Sequence, residues 1–283
     1  MCAICGCNGA ATASALEPGT GERHDFHEHV HADGTRHSHP PALHHDDGQG
    51  HLATHLDLES RILARNDELA ARNAAWLARR GVFALNLMGA PGSGKTTLLE
   101  RTIGAMDRGS IVVIEGDQAT ANDAERVGAA GAAVVQVNTG TGCHLDATMV
   151  ARGLDELDPA PGCVAVIENV GNLVCPALFR LGEGARAVVL SAAEGDDKPL
   201  KYPHMFRAAD IVLINKVDLL PYVDFDVERA SANVRALNPD ARVMRVSART
   251  GEGLQAWIAW LLERAAALSP SASPHRAVHP AST

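Results

Sequence analysis

The chain has 283 residues, enough for one sizeable domain with appendages, and its 46% hydrophobic content is ordinary for a globular protein. Aromatics make up 4% and the formal charge is -9, with 34 acidic against 25 basic residues, which argues against base-stacking platforms and the basic face of a nucleic-acid binder. No apolar run is long enough to span a bilayer and no charged region leads into an apolar one at the N-terminus, so a cytoplasmic location without a secretory signal is expected.

Residues 1–55 form the first compositional regime. Cys2, Cys5 and Cys7 crowd the N-terminus. In a reducing compartment they are expected as metal ligands rather than disulfides, and thiolates with a terminal amine suit Ni²⁺ in square-planar coordination. The bland alternative is three exposed thiols, an oxidation liability. Ten of the 14 His fall between His24 and His55, several as His-x-His pairs such as His27/His29 and His37/His39. Such redundant imidazoles suit buffering of several Ni²⁺ or Zn²⁺ ions, or a solvated linker. The segment shows no apolar periodicity and is expected to be mostly disordered until it binds something.

Residues 56–80 read as an amphipathic helix joining the core, with Leu56, Leu58, Ile62, Leu63, Leu69 and Trp76 at helical spacing. Residues 81–268 alternate apolar β-branched runs with helical stretches. The runs are 83–88, 111–115, 133–137, 164–168, 187–190, 211–215 and 243–246. This predicts an α/β domain with a doubly wound, mainly parallel sheet and its ligand at the carboxyl ends of the strands. Residues 269–283 are rich in Pro, Ser and Ala and read as a flexible tail.

The first strand runs into Gly89-Ala90-Pro91-Gly92-Ser93-Gly94-Lys95-Thr96, a G-x-x-x-x-G-K-[ST] phosphate loop opening a helix. Gly89, Gly92, Ser93 and Gly94 let backbone N–H groups curl around phosphates, Lys95 reaches the β- and γ-phosphates, and Thr96 gives its hydroxyl to Mg²⁺. Thr97 joins the expected nucleotide contacts. Asp117, after the second strand, is a candidate for holding Mg²⁺ or orienting the attacking water, and equally for capping the next helix. Cys143 and His144 follow the third strand. After the fourth, the D-x-x-G pattern of the Ras-like switch stands as Glu168-Asn169-Val170-Gly171, with Asn172 where Gln would position water. Lys95, Asp117 and Glu168 are the catalytic candidates. Cys175 follows closely, so Cys143, His144 and Cys175 read as a Zn²⁺ or Ni²⁺ site near the phosphates, with buried thiols as the alternative and as the reading of Cys163.

The strand 211–215 ends in Asn215-Lys216-Val217-Asp218, the N-K-x-D pattern for guanine. Asp218 accepts two hydrogen bonds from guanine, which adenine lacks, and the Lys216 stem covers the base face. Ser247-Ala248-Arg249 is similar to the S-A-K loop of guanine sites, with Arg in place of Lys.

Together with Cys2-Ala3-Ile4-Cys5-Gly6-Cys7, the His tract, Thr141-Gly142-Cys143-His144 and Glu168 to Pro176, these motifs make most of the chain resemble the hydrogenase-maturation nickel-insertion GTPases, the HypB family. The resemblance implies a SIMIBI-class GTPase with slow intrinsic turnover that dimerises with GTP. It also implies a tight nickel site at Cys2, Cys5 and Cys7 and delivery of nickel to the [NiFe]-hydrogenase large-subunit precursor. The partners it implies are a HypA-type metallochaperone and, in some organisms, SlyD. Two other readings remain open here: a His-rich nickel store with a secondary GTPase, and the related urease-maturation GTPase, whose C-P-H metal motif is not found.

Overall fold

The computed structural model describes residues 27–30, 36–39, 48–117, 122–140 and 142–268. The candidate ligands Cys2, Cys5 and Cys7, much of the His tract and the tail 269–283 lie outside them. The chain divides into two compact units, Met1–Ile62 and Leu63–Thr283.

In the first unit, strands β1 (His27–Val30) and β2 (Arg36–His39) pair antiparallel, placing His27 opposite His39 and His29 opposite His37. His alternates here with other residues on both sides of Asp33-Gly34, a hairpin pattern that a search for apolar periodicity passes over. Helix α1 runs Gly48–Arg80, beginning before the expected Leu56.

The second unit contains β3 (Phe83–Gly89), α2 (Lys95–Gly104), β4 (Ile111–Asp117), α3 (Asn122–Ala130), β5 (Ala133–Asn138), α4 (Ala147–Leu157), β6 (Val164–Glu168) and α5 (Cys175–Leu178). It continues with β7 (Ala185–Ser191), α6 (Lys198–Lys201), α7 (Pro203–Arg207), β8 (Ile211–Asn215), α8 (Val227–Leu237), β9 (Arg242–Arg245) and α9 (Leu254–Ala266). Each expected strand is present, with ends shifted by at most two residues. The seven strands form one parallel sheet in the order β5-β4-β6-β3-β7-β8-β9. The sheet is doubly wound, as the near-continuous apolar runs predicted.

Side-chain alternation divides the core into layers. Phe83, Leu85 and Leu87 of β3 pack with Leu98 and Ile103 of α2, Val127 of α3 and Trp257 of α9. The other face meets Val150 and Leu154 of α4 and Leu77 of α1 over the β4–β6 half. Over the β7–β8 half it meets Phe206 of α7 and Val234 of α8. Edge strands β5 and β9 are partly exposed, while β3, β6 and β8 are buried throughout.

Helix α1 departs from its expected face. Its buried stripe in the second unit is Asn66, Ala70, Asn73 and Leu77, whereas Leu58 and Ile62 are 51% and 39% exposed. The reason is hydrogen bonding rather than hydropathy: both asparagine amides are paired inside the domain. No described helix is long and apolar enough to cross a membrane.

Candidate nucleotide and metal sites

The carboxyl ends of β4, β6, β3 and β8 surround a cleft of about 470 Å³ whose lining includes Gly92, Lys95, Thr96, Glu115 and Glu168. A larger cleft of about 550 Å³ lies at the amino ends of β7 and β8, beside Arg180, Glu183 and Asp210. The first is the candidate site, because it alone of the two contains the phosphate loop and sits where open parallel sheets bind ligands.

The phosphate loop leaves β3 at Gly89 and enters α2 at Gly94, with φ of 153° and 97°. A Cβ at Gly89 would come 2.5 Å from the Val189 carbonyl oxygen, and one at Gly94 would come 2.5 Å from Asn215 Nδ2. Glycine is therefore required at both positions by backbone angle and by space. Lys95 Nζ reaches back to the carbonyls of Gly89 and Ala90 at 3.4 and 3.3 Å. Burial lowers its pKa, opposed first by the charge of Glu168. Thr96 Oγ1 donates to Glu168 Oε1 at 2.7 Å. Glu168 is pushed up to about 7 by burial, while the Thr96 hydrogen bond and Lys95 pull it down.

Among the described residues, Glu168 Oε2 and Ser93 Oγ are buried without a hydrogen-bond partner. A phosphate-bound Mg²⁺ beside Thr96 and Glu168 fits this oxygen-rich, under-satisfied corner. Asp117 ends β4 opposite Asn138 in the sheet, and its side chain lies outside the described residues. Thr97 Oγ1 accepts from Arg126 Nη2 at 3.1 Å and so is engaged by α3.

Three cleft residues were missed from sequence. Glu115 is buried at the end of β4 and in register with Glu168 of β6. Its signal was a lone carboxylate closing an apolar strand, overlooked in favour of Asp117. Asp123 and Arg126 also line the cleft. Arg126 holds Glu100 of α2 through two nitrogens, at 3.0 and 2.7 Å, and Asp123 at 3.0 Å.

The guanine motif is braced to the phosphate loop. Asn215 Nδ2 donates to the Ser93 carbonyl at 2.9 Å, and Asn215 Oδ1 accepts the Ala248 N–H at 3.2 Å. Lys216, with φ of 61°, donates from Nζ to the Gly92 carbonyl at 2.7 Å. Ser247 Oγ donates to Asp218 Oδ1 at 2.6 Å, which holds the carboxylate that would read guanine. Arg249 is exposed.

Two further loops at the same sheet edge converge on sulfur and nitrogen. Cys143 and His144 lie between β5 and α4, and Cys175 opens α5 beyond β6. Cys143 Sγ is 2.9 Å from Cys175 Sγ and 3.7 Å from His144 Nδ1, and the three ligand atoms lie within 4.8 Å of one another. The His144 ring stacks on Phe179, centroids 3.9 Å apart. Burial lowers the His144 pKa, against the charge of Asp146, and favours the neutral imidazole that a metal requires. Two thiols and an imidazole are a borderline-soft set suited to Ni²⁺ or Zn²⁺. Cys163 is instead buried in the apolar core, its thiol pKa raised by burial.

Residues 83–245 match the family model described as CobW/HypB/UreG, nucleotide-binding domain. The chain is 56% identical over 207 residues to the hydrogenase maturation factor HypB of Rhizobium leguminosarum bv. viciae, covering 73% of this chain and 69% of that one. It is 50% identical to HypB of Escherichia coli (strain K12), covering 76% and 77%. Among solved structures, HypB from Helicobacter pylori in complex with nickel superposes with a TM-score of 0.69 at 37% identity, over 74% of this chain and 99% of that one. HypB from Archaeoglobus fulgidus superposes at 0.67 and 42% identity, over 72% and 100%. With the phosphate loop, the guanine motif and the Cys/His cluster on one sheet edge, these likenesses show that the chain belongs to the HypB family of hydrogenase maturation factors, P-loop proteins of the CobW/HypB/UreG group.

Proposed function

We propose that this protein is a GTP-hydrolysing nickel metallochaperone that uses its nucleotide cycle to pass nickel toward the large subunit of [NiFe]-hydrogenase. One observation carries the reading: the segment from Glu168 to Cys175 touches both sites. Glu168 accepts from Thr96, Asn172 bridges to Gly89, and Cys175 then meets Cys143. Asn169 Oδ1 also accepts the N–H of Leu145, next to His144. A change at the γ-phosphate therefore has a short covalent and hydrogen-bonded route to the metal ligands. The nickel complex of the Helicobacter pylori relative supports nickel as the cargo, and the sulfur-rich donor set also accepts Zn²⁺.

In this reading Lys95 turns from the loop carbonyls to the β- and γ-phosphates, and Thr96 with Glu168 holds Mg²⁺, joined by Asp117. Mg²⁺, when bound, neutralises charge on the phosphate oxygens. Asp218 and Lys216 select guanine. Turnover is slow, because Asn172 stands where Ras-like enzymes place the water-orienting Gln. GTP orders the segment after β6 and favours a homodimer, and hydrolysis relaxes it. Cys2, Cys5 and Cys7 hold nickel upstream. A HypA-type metallochaperone, the hydrogenase precursor and SlyD are the partners this role requires or accommodates.

The test is Ni²⁺ titration of the full chain carrying Cys2→Ser, Cys5→Ser and Cys7→Ser, followed at the thiolate-to-nickel absorption that the imidazoles of the His tract do not give, with GDP and with a non-hydrolysable GTP analogue. Metal affinity should differ between the two by roughly fivefold or more, and the metal should shift nucleotide affinity by the same factor. Equal affinities would remove the coupling from the mechanism.

A further inference from the structure

We propose that Asn66 and Asn73 of helix α1 are positioning residues for the Cys143/His144/Cys175 metal site, tying together the two loops that carry its ligands. The proposal rests on the metal-binding reading of that cluster.

The two asparagines lie two helical turns apart and share one face of α1. Each is only 6% exposed. A buried amide is costly unless its hydrogen bonds are made, so an asparagine at such a position specifies what it docks against more tightly than a leucine does. Asn66 Oδ1 accepts the Ala147 N–H at 2.9 Å, and its Nδ2 donates to the Arg180 carbonyl at 2.7 Å. Asn73 Nδ2 donates to the Ala147 carbonyl at 2.8 Å and to the Leu181 carbonyl at 2.9 Å.

Ala147 is thus gripped at both backbone groups. It is the first residue of α4, three positions after His144, and its N–H is one of the donors that a helix start leaves unpaired. Arg180 and Leu181 belong to the turn that follows Cys175 and α5. Each asparagine bonds to both loops, so together they fix the separation of His144 from Cys175 across 30 intervening positions of chain.

The rest of the turn is anchored from the sheet. Arg186 of β7, paired with Glu183, donates to the carbonyls of Ala177 and Phe179 at 3.2 and 3.4 Å. Phe179 in turn stacks on His144. Gly182 closes the arrangement with φ of 98°, where a Cβ would come 2.6 Å from Asn73 Cβ and 2.7 Å from the Ala70 carbonyl oxygen. Helix α1 therefore sits directly on the turn after α5, and the loops that carry the ligands are held by a helix that carries none of them. Groups that orient ligands without touching the metal commonly alter affinity by roughly 10–100-fold.

The experiment uses the full chain with Cys2, Cys5 and Cys7 replaced by Ser and reads the thiolate-to-nickel charge-transfer band, so that Ni²⁺ taken up by the imidazoles of the His tract does not count toward the cluster. Asn66→Leu with Asn73→Leu keeps side-chain bulk and removes all four hydrogen bonds. Ni²⁺ affinity, by chelator competition followed at that band, should fall roughly 10–100-fold, and the band should shift in position or intensity. GDP affinity should stay within about twofold, because neither residue lines the nucleotide cleft. Leu77→Ala, on the same stripe, loosens α1 without breaking any of these bonds. It should lower Tm and leave the absorption band unchanged. If the double variant does not fold, Asn66→Asp and Asn73→Ser carry the same test, each with a smaller loss. Unchanged affinity and band in the asparagine variants, or an equal loss in Leu77→Ala, would overturn the positioning role. A thiolate-to-nickel band left unchanged by Cys143→Ser with Cys175→Ser would overturn the cluster as a metal site, and the positioning role with it.

Discussion

The phosphate loop and the Cys143/His144/Cys175 cluster share one edge of one sheet, and they are held there by different means. Gly89 to Thr96 is a single octapeptide, clamped between the end of β3 and the start of α2 and braced by Asn215 and Lys216. The cluster draws its ligands from two loops, whose spacing depends on side chains of α1 and β7. A site built from contiguous backbone keeps its shape by local geometry. One built from two loops is only as rigid as the contacts between them, which would suit the release of an ion in the proposed cycle.

The largest expected effect breaks the first site and spares the second. Lys95→Ala removes the cation proposed to pair with the phosphates, and GTP affinity in a fluorescent-nucleotide titration should fall at least roughly 100-fold. Nickel binding to the nucleotide-free protein should remain. Normal GTP turnover in this variant would refute the phosphate assignment. Asp218→Asn comes next: the preference for GTP over XTP should fall or invert by about 100-fold in competition binding, and an unchanged preference would refute the guanine assignment.

A smaller effect concerns pH. The folded-state pKa of Glu168 is raised, from 4.5 to about 7, so the folded state favours the protonated carboxyl. Its stabilising contribution is whole below about pH 4.5 and is lost as pH rises through about 7. Nucleotide-free protein should therefore lose Tm across that window, and Glu168→Gln should flatten the decline. Saturating Mg²⁺ with GDP should flatten it as well if the carboxylate meets the cation. The smallest effect is expected at Arg126→Ala. The Arg126 side chain is 43% exposed, so its ion pairs should contribute only about 0.5 kcal/mol to stability. A loss of GTP hydrolysis beyond about tenfold would instead place Arg126 in the catalytic machinery and make the phosphate site depend on α3 as the cluster depends on α1.

Much of this organisation was legible residue by residue. The strands were readable because both faces are buried, leaving apolar runs such as Ile211 to Ile214 unbroken. The phosphate and guanine motifs were readable because their chemistry needs fixed residue types at fixed spacing. Glu115 was harder to see, since its importance comes from lying beside Glu168 in a neighbouring strand. Asn66 and Asn73 were invisible to hydropathy, which scores them as solvent-facing. The leucines that marked α1 as amphipathic proved a poor guide to the face it buries, as the exposure of Leu58 and Ile62 shows.

By itself, then, the sequence determined what local backbone and residue chemistry control: the alternating strands and helices, the glycine turn of the phosphate-loop motif, the carboxylate of the N-K-x-D motif, and the identity of the candidate metal ligands. The tertiary structure decided what depends on distance between remote residues. It brought Cys143 to Cys175, set Glu168 against Thr96, and turned two asparagines inward. The physical reason is that a buried polar group takes its place from the partners that satisfy it, and for Asn66 and Asn73 those partners lie 74 to 114 positions further along the chain.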